Sequence, residues 1–354
     1  MIHTTHNSLI SILTFLFICI GASGQEYSKN ENGYGIKEKI EIEADGIKLL
    51  ELKNQHGNIT IEGWDKENIE IHTLINVNSP GPNGAEEVLD FISIQRAQLG
   101  EKLIFRTQFD EEFFSNYPFN IEYHIKLPSR LNLKIKNKLG DIIIQNILGQ
   151  IILDQSYGRL HLLQSNNLIQ HELKLNFIEA LVEKTNAVNG TFSNCTFSAD
   201  SLIQLDAESE YSMLTIENSA RADIKSFTDR IQLNNCDSAT VQGKQLIAQC
   251  TNLNSYGHFE INNGLLNIDL KESIKQLTVS NQNVNTSIKV PGSLSYHLNG
   301  EVTSGNFSHP NASLLRLIKE YDKLSFSGKI GSDEIVTSEF ILFNEHSDLN
   351  IQNK

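Results

Sequence analysis

Residues Asn137 to Ile144 read N-K-L-G-D-I-I-I: a polar residue, two spacers, a turn residue, then an alternating strand. The phrase recurs at Asn54 to Ile61 (N-Q-H-G-N-I-T-I), Gln155 to Leu162 (Q-S-Y-G-R-L-H-L), Asn254 to Ile261 (N-S-Y-G-H-F-E-I) and Asn344 to Ile351 (N-E-H-S-D-L-N-I). A looser copy, Ser209 to Ile216, places Ser212 where the others have Gly57, Gly140, Gly158, Gly257 or Ser347. A residue that tolerates left-handed backbone, followed by period-two alternation, is what a stack of short strands needs at each corner. Gly140 and Gly158 lie 18 residues apart and Ser212 lies 54 further on, three such steps. Each unit buries too little by itself, so neighbouring units must share one core, and the expected fold class is an all-β solenoid.

Outward from these phrases the chain divides into a leader at 1–24, a β-rich region at 25–130, and stacked strands at 131–354 with the last phrase as the closing coil. In the β-rich region, alternation from Lys37 to Asn78 is broken by Ser79 to Gly84 (S-P-G-P-N-G), whose prolines exclude a central strand. A short helix is predicted over 85–92, with Glu86 and Glu87 near its start, where negative charge is favoured. Strands are predicted over Lys102 to Phe109 and Phe119 to Leu127. Between them, Phe113, Phe114 and Tyr117 are expected to fold back over the end of the core. Pro310 to Tyr321 carries a weak helical pattern through Leu314, Leu315, Leu317 and Ile318.

Leu9 to Ile20 is an almost continuous apolar run, followed by Ala22 and Gly24 at the positions a signal peptidase reads before Gln25. The run is too short to span a bilayer, and no later stretch reaches the roughly 20 apolar residues that would. An exported protein follows, expected in the periplasm, with the cell surface or exterior as the alternative. Ile18 is too bulky to precede a lipidated Cys19. The net charge of −14 lies wholly beyond residue 24, which argues against nucleic acid and anionic membranes, whose binding needs clustered Lys and Arg. Cys195, Cys236 and Cys250 are expected to be buried reduced thiols acting as small hydrophobes.

Asn54 to Trp64 with Asp65, then the short helix, Asn137 to Ile144 and Tyr157-Gly158, resemble the exported β-solenoid family of Gram-negative bacteria known as the "putative adhesin" family of unknown function. The resemblance implies a right-handed single-stranded β-helix with an N-terminal β-rich portion, located outside the cytoplasm. It transfers no catalytic residue to any position.

The sequence contains no metalloprotease or zinc-ligand spacing, no G-x-S-x-G elbow and no phosphate loop. Asp206, Glu208 and Glu210 alternate, so a strand would aim all three carboxylates to one face, where a solvated strip is the ordinary reading and Ca²⁺ the less ordinary one. Tyr157, Tyr211 and Tyr256, with His56 and His346, precede the turn residue and suggest an aromatic corner. The expectation is therefore a non-enzymatic, cofactor-free binding or envelope structural protein, whose partner is an envelope protein or a glycan. The alternative is a polysaccharide-active β-helix enzyme using surface carboxylates; it requires paired acids in a groove with a cation nearby.

Overall fold

In the computed structural model, which describes residues 26–30 and 33–354, every strand belongs to one mixed, unclosed sheet of 22 strands. The leader and cleavage site expected from the sequence lie outside the described residues. From Asn132 to Val290 the strands pair in parallel with the next stretch of chain, in register, at steps of 17, 18 or 20 residues. Each such step adds one rung to the ladder. Alternate residues are buried along each rung. Leu133, Leu153, Leu173, Leu205, Ala222, Ala239, Leu277 and their like form one continuous apolar core.

The rungs bend where the backbone turns left-handed. His56, Leu139, Tyr157, Phe177, Asn194, Tyr211, Thr228, Gln245, Asn263, Asn283, His346 and Ser304 all have φ between 52° and 64°. The pairing registers put them in one column. The left-handed residue is thus the one before the glycine, not the glycine as the sequence suggested. At Gly57 and Gly140 glycine is required one position later by closeness rather than by φ, a Cβ on Gly140 lying 2.0 Å from the Gly57 carbonyl oxygen, whereas Gly158 and Gly264 combine such closeness with positive φ values of 139° and 150°.

The polar residue that opens the phrase is buried, and its amide satisfies a turn carbonyl. Asn137 Nδ2 donates to Gly57 O (3.1 Å), Gln155 Nε2 to Gly140 O (2.9 Å), and Asn344 Nδ2 to Ser347 O (2.7 Å). Asn54 Nδ2 donates to Ile121 O (3.0 Å), while its Oδ1 accepts from Thr107 Oγ1 (2.9 Å), itself 2.8 Å from the Tyr123 hydroxyl. Replacing Asn54 by the near-isosteric Leu removes a donor from the buried Ile121 carbonyl and an acceptor from the buried Thr107 hydroxyl, which keeps only Tyr123. The expected cost is about 1.5 kcal/mol, read as a lower urea midpoint at unchanged m-value.

Two repeat assignments change. Tyr256 pairs with Gln276 and Gly257 with Leu277, so the phrase at Asn254 to Ile261 falls out of register with the corner column. The corner of that rung is Asn263-Gly264 instead. The rung after it carries an in-register copy, Asn281 to Ile288 (N-Q-N-V-N-T-S-I), in which Val284 stands at the glycine position.

At both ends the chain leaves sequence order. Leu49–Gln55 lies between Lys102–Phe109 and Asn132–Lys138, parallel to each. Ser338–Glu345 lies between Gln276–Val290 and Tyr296–Thr303, again parallel to each. The last phrase is therefore not the closing coil. Beyond it stand Tyr296–Thr303, then Lys323–Ile330 antiparallel to that, then Arg316–Glu320 antiparallel again. The helical pattern of 310–321 resolves into a 3₁₀ turn, Ala312–Leu314, and the strand Arg316–Glu320, because pairing with 323–327 overrides a weak local preference.

Among the described residues the single α-helix runs Pro82–Leu89, three residues earlier than the sequence suggested. Pro82 opens its first turn, so Glu86 and Glu87 fall past the start and Ile92 begins a strand. Ala85, Val88 and Leu89 are buried and cap the core against Gly33–Glu43 and Asn68–Val77. Phe113 and Tyr117 pack on the core edge as expected, while Phe114 is exposed. Cys195, Cys236 and Cys250 are free and buried, and desolvation raises the pKa of each thiol.

Candidate binding trough

Because side chains alternate across a strand, the residues leading into the corner column form three outward rows. Paired positions along the middle row include Lys53, Lys136, Asp154 and Lys174 at one end, Glu208, Lys225 and Gln242 in the middle, and Glu260, Ser280 and Glu301 at the other. Three shallow depressions, of about 480, 500 and 640 Å³, follow these rows. The first two share Asn189 and Thr191, and the last two share Gln242. They are one continuous trough. Twelve rungs at the usual strand spacing give it a length of roughly 50 Å.

The sequence-predicted acids sit here. Asp206 and Glu208 line the middle depression, and Glu210 continues their outward row beside Phe227. Asp206 pairs in register with Asp223, an acid that the single-strand pattern did not reveal. Two carboxylates on adjacent strands repel, and local donors offset this. Gln170 and Gln204 donate to Asp206 Oδ2 at 3.0 and 2.7 Å, and Arg221 Nε donates to Asp223 Oδ2 at 2.6 Å. Glu208 is solvated, with Lys225 Nζ 4.0 Å away. Among the described residues, no group of three potential ligands is arranged to hold a metal ion.

At the basic end, Arg106 and Lys102 donate to Glu51; the Arg106 hydrogen bond leads in holding that carboxyl below its ordinary range, against desolvation. Lys136 pairs with Asp154 at 2.7 Å. The charge along the trough therefore changes from mixed-basic to acidic, with Asp206, Glu208, Asp223, Glu260, Glu301 and Glu345 outnumbering Lys225 and Lys244.

The corner column adds an aromatic border. Tyr157 and Phe177 occupy successive left-handed positions with rings 5.1 Å apart and 3° from parallel. Tyr211 meets Phe227 edge-on at 5.7 Å. All four rings are 40 to 54% exposed, unusual for such large apolar groups. No glycine marks the corner at Phe177 or the Thr228 corner that Phe227 precedes, and the one available signal, for Phe177 alone, was the step of 20 from Tyr157. Tyr256 does not belong to this border. It shares the outward row of His258 and Glu260, seven residues before the left-handed Asn263, which puts it on the opposite margin of the same face.

One further pair has the spacing of a nucleophile and its base: Ser165 Oγ and His171 Nε2 are 2.6 Å apart. Its hydrogen bonds exclude that role. His171 Nδ1 accepts from the Ile151 amide, so the ring proton sits on Nε2 and points at Ser165, whose own hydrogen goes to the Ile147 carbonyl. Both residues are fully buried, and the pair pins two rungs together.

The sequence matches no protein-family model and no curated protein. Among solved structures it is similar to a "putative cell adhesion protein" from Clostridium sporogenes ATCC 15579, at 12% identity over 90% of this chain and 99% of that one, with a TM-score of 0.21. It is similar also to a "putative adhesin" from Parabacteroides merdae ATCC 43184, at 13% identity over 72% and 89% of the two chains, with a TM-score of 0.32. A third, a "putative adhesin" from Bacteroides fragilis NCTC 9343, shares 10% identity over 90% and 97%, with a TM-score of 0.25. Similarity of this size leaves function to be argued from the chain's own residues.

Proposed function

We propose that this chain is an exported, non-enzymatic binding protein, a right-handed β-helix whose trough holds one extended polyhydroxylated strand of a glycan. The observation that carries the reading is the continuity of the trough over twelve rungs beside an exposed aromatic border. A groove of roughly 50 Å fits a linear chain better than a compact ligand. Flat rings on a rigid corner offer apolar stacking surface at little entropic cost. The rows of carboxylates and amides supply hydrogen-bond partners for hydroxyls, and the excess of acids disfavours a polyanion. Export follows from the leader and places the protein where such chains occur.

Asp206 and Asp223, paired on adjacent strands with Arg221 beside them, favour a second reading, cleavage of the same glycan. Neighbouring strands put two carboxyls roughly 5 Å apart, the separation of a nucleophile and acid in retaining hydrolysis. A panel of immobilised neutral and acidic polysaccharides, read for both retention and released fragments, separates the two. Retention of a neutral glycan without fragments is expected, weakened about tenfold by Tyr157→Ala or Phe177→Ala, the loss of roughly 1.4 kcal/mol of stacking. Fragments abolished by Asp206→Asn would overturn the binding reading in favour of the enzyme. Neither retention nor fragments would transfer the trough to a protein partner.

A further inference from the structure

The outermost strand at the C-terminal end of the ladder is Arg316–Glu320, R-L-I-K-E. It pairs with 323–327 on one side, and among the described residues no strand pairs with the other. All five of its residues are exposed. The apolar surface around it is concentrated: Leu314, Leu317, Ile318 and Tyr321 are 60, 45, 40 and 99% exposed. An open edge with an apolar surround is a template for another strand, and proteins that keep such an edge single guard it with charge, a bulge or a cover. The charges here are arranged differently.

Antiparallel pairing of this strand with itself about Ile318 sets Ile318 against Ile318 and Leu317 against the aliphatic stem of Lys319. Arg316 then stands opposite Glu320 at both ends. A register centred on Leu317 leaves Glu320 unmatched, and one centred on Lys319 opposes two ammonium groups. Charge complementarity therefore selects a single register, the one that uses all five residues. We infer that the occupant of this edge is a second copy of the chain, joined across a two-fold axis at Ile318 so that the two sheets become one and each dimer carries two troughs.

Sedimentation of the purified protein over a concentration series tests this. The parent chain should dimerise. Arg316→Glu, which opposes two carboxylates at each end of the seam, should weaken dimerisation at least tenfold, and adding Glu320→Arg should restore it. Ile318→Cys should give a covalent dimer on mild oxidation, whereas Arg316→Cys, four residues from its own copy across the axis, should not. Circular dichroism of each variant confirms folding. A parent chain that stays monomeric at every concentration, or a dimer indifferent to Arg316→Glu, would overturn the proposal.

Discussion

Gly140→Ala is expected to destabilise the protein by about 3 kcal/mol, at the upper end of ordinary overpacking costs. The reason is a chain of close backbone approaches. A Cβ on Gly140 would lie 2.0 Å from the Gly57 oxygen, one on Gly57 would lie 2.0 Å from the Ile121 oxygen, and one on Gly158 would lie 2.3 Å from the Gly140 oxygen. No side-chain rotation relieves these contacts, because each partner is main chain held in a parallel ladder. Separating the rungs would also break the hydrogen bonds that the Asn137 and Gln155 side-chain amides donate to the same turn carbonyls. Gly292→Ala is the matched control, since its Cβ would meet nothing within 4 Å. Urea unfolding of the two variants should show a large fall in midpoint for the first and almost none for the second. Equal midpoints would mean that the corner gives way easily and that the glycine column is not what sets the rung spacing.

Acid should weaken the fold well before its carboxylates titrate. His171 is fully buried, and burial lowers its pKa from 6.5 to about 4. A proton added to Nδ1 would face the Ile151 amide hydrogen, which leaves the charged form no partner. The unfolded chain takes up this proton as pH falls through 6.5, while the folded chain refuses it until about pH 4. Stability is therefore complete above pH 6.5 and falls progressively below it, by about 2.5 kcal/mol between pH 8 and 4.5. His309 adds to this with the same sign: burial lowers its pKa, Nδ1 accepts from the Asn311 amide, and Nε2 lies 2.8 Å from the Tyr296 hydroxyl. Asp229, whose pKa burial raises, acts oppositely, since its folded form gains as pH falls toward 3.8. Glu51, lowered chiefly by Arg106, contributes a loss only below about 4.5. Urea midpoints across pH 8 to 4.5 check the sum, and His171→Gln should flatten most of the slope while lowering stability at pH 8. An unchanged slope in that variant would assign the acid sensitivity elsewhere.

The stacking of short strands was legible because Asn54, Asn137, Gln155 and Asn344 each need a buried amide three residues before a turn, and that need writes a repeated phrase. The phrase misled where composition imitated it. N-S-Y-G at 254–257 has every residue of the motif, yet its rung is fixed by pairing with 276–282, which local sequence does not encode. Asn281 to Ile288 was overlooked for the converse reason, since Val284 fills the position that glycine marks elsewhere. Asp206, Glu208 and Glu210 were readable as one face because alternation within a single strand is local. Asp223, Phe177 and the lysines at 53, 136 and 174 join the trough and its border only through steps of 17 to 83 residues, which depend on the length of each turn. The displaced rungs at the two ends were invisible for the same reason.

The seating of Ser338–Glu345 between Gln276–Val290 and Tyr296–Thr303 makes two earlier strands depend on a later one for their neighbour. A ladder assembled in strict sequence order could stop at any rung and still be well formed up to that point. In this chain an arrest before residue 338 leaves two facing strand edges held apart, both hungry for partners and open to proteases and holdase chaperones. Residues 338–345, which come later in the chain than both of those strands, are the ones that close this gap. One strand thus serves as the keystone of this end of the ladder, and a copy without it carries two open edges in place of one closed seam.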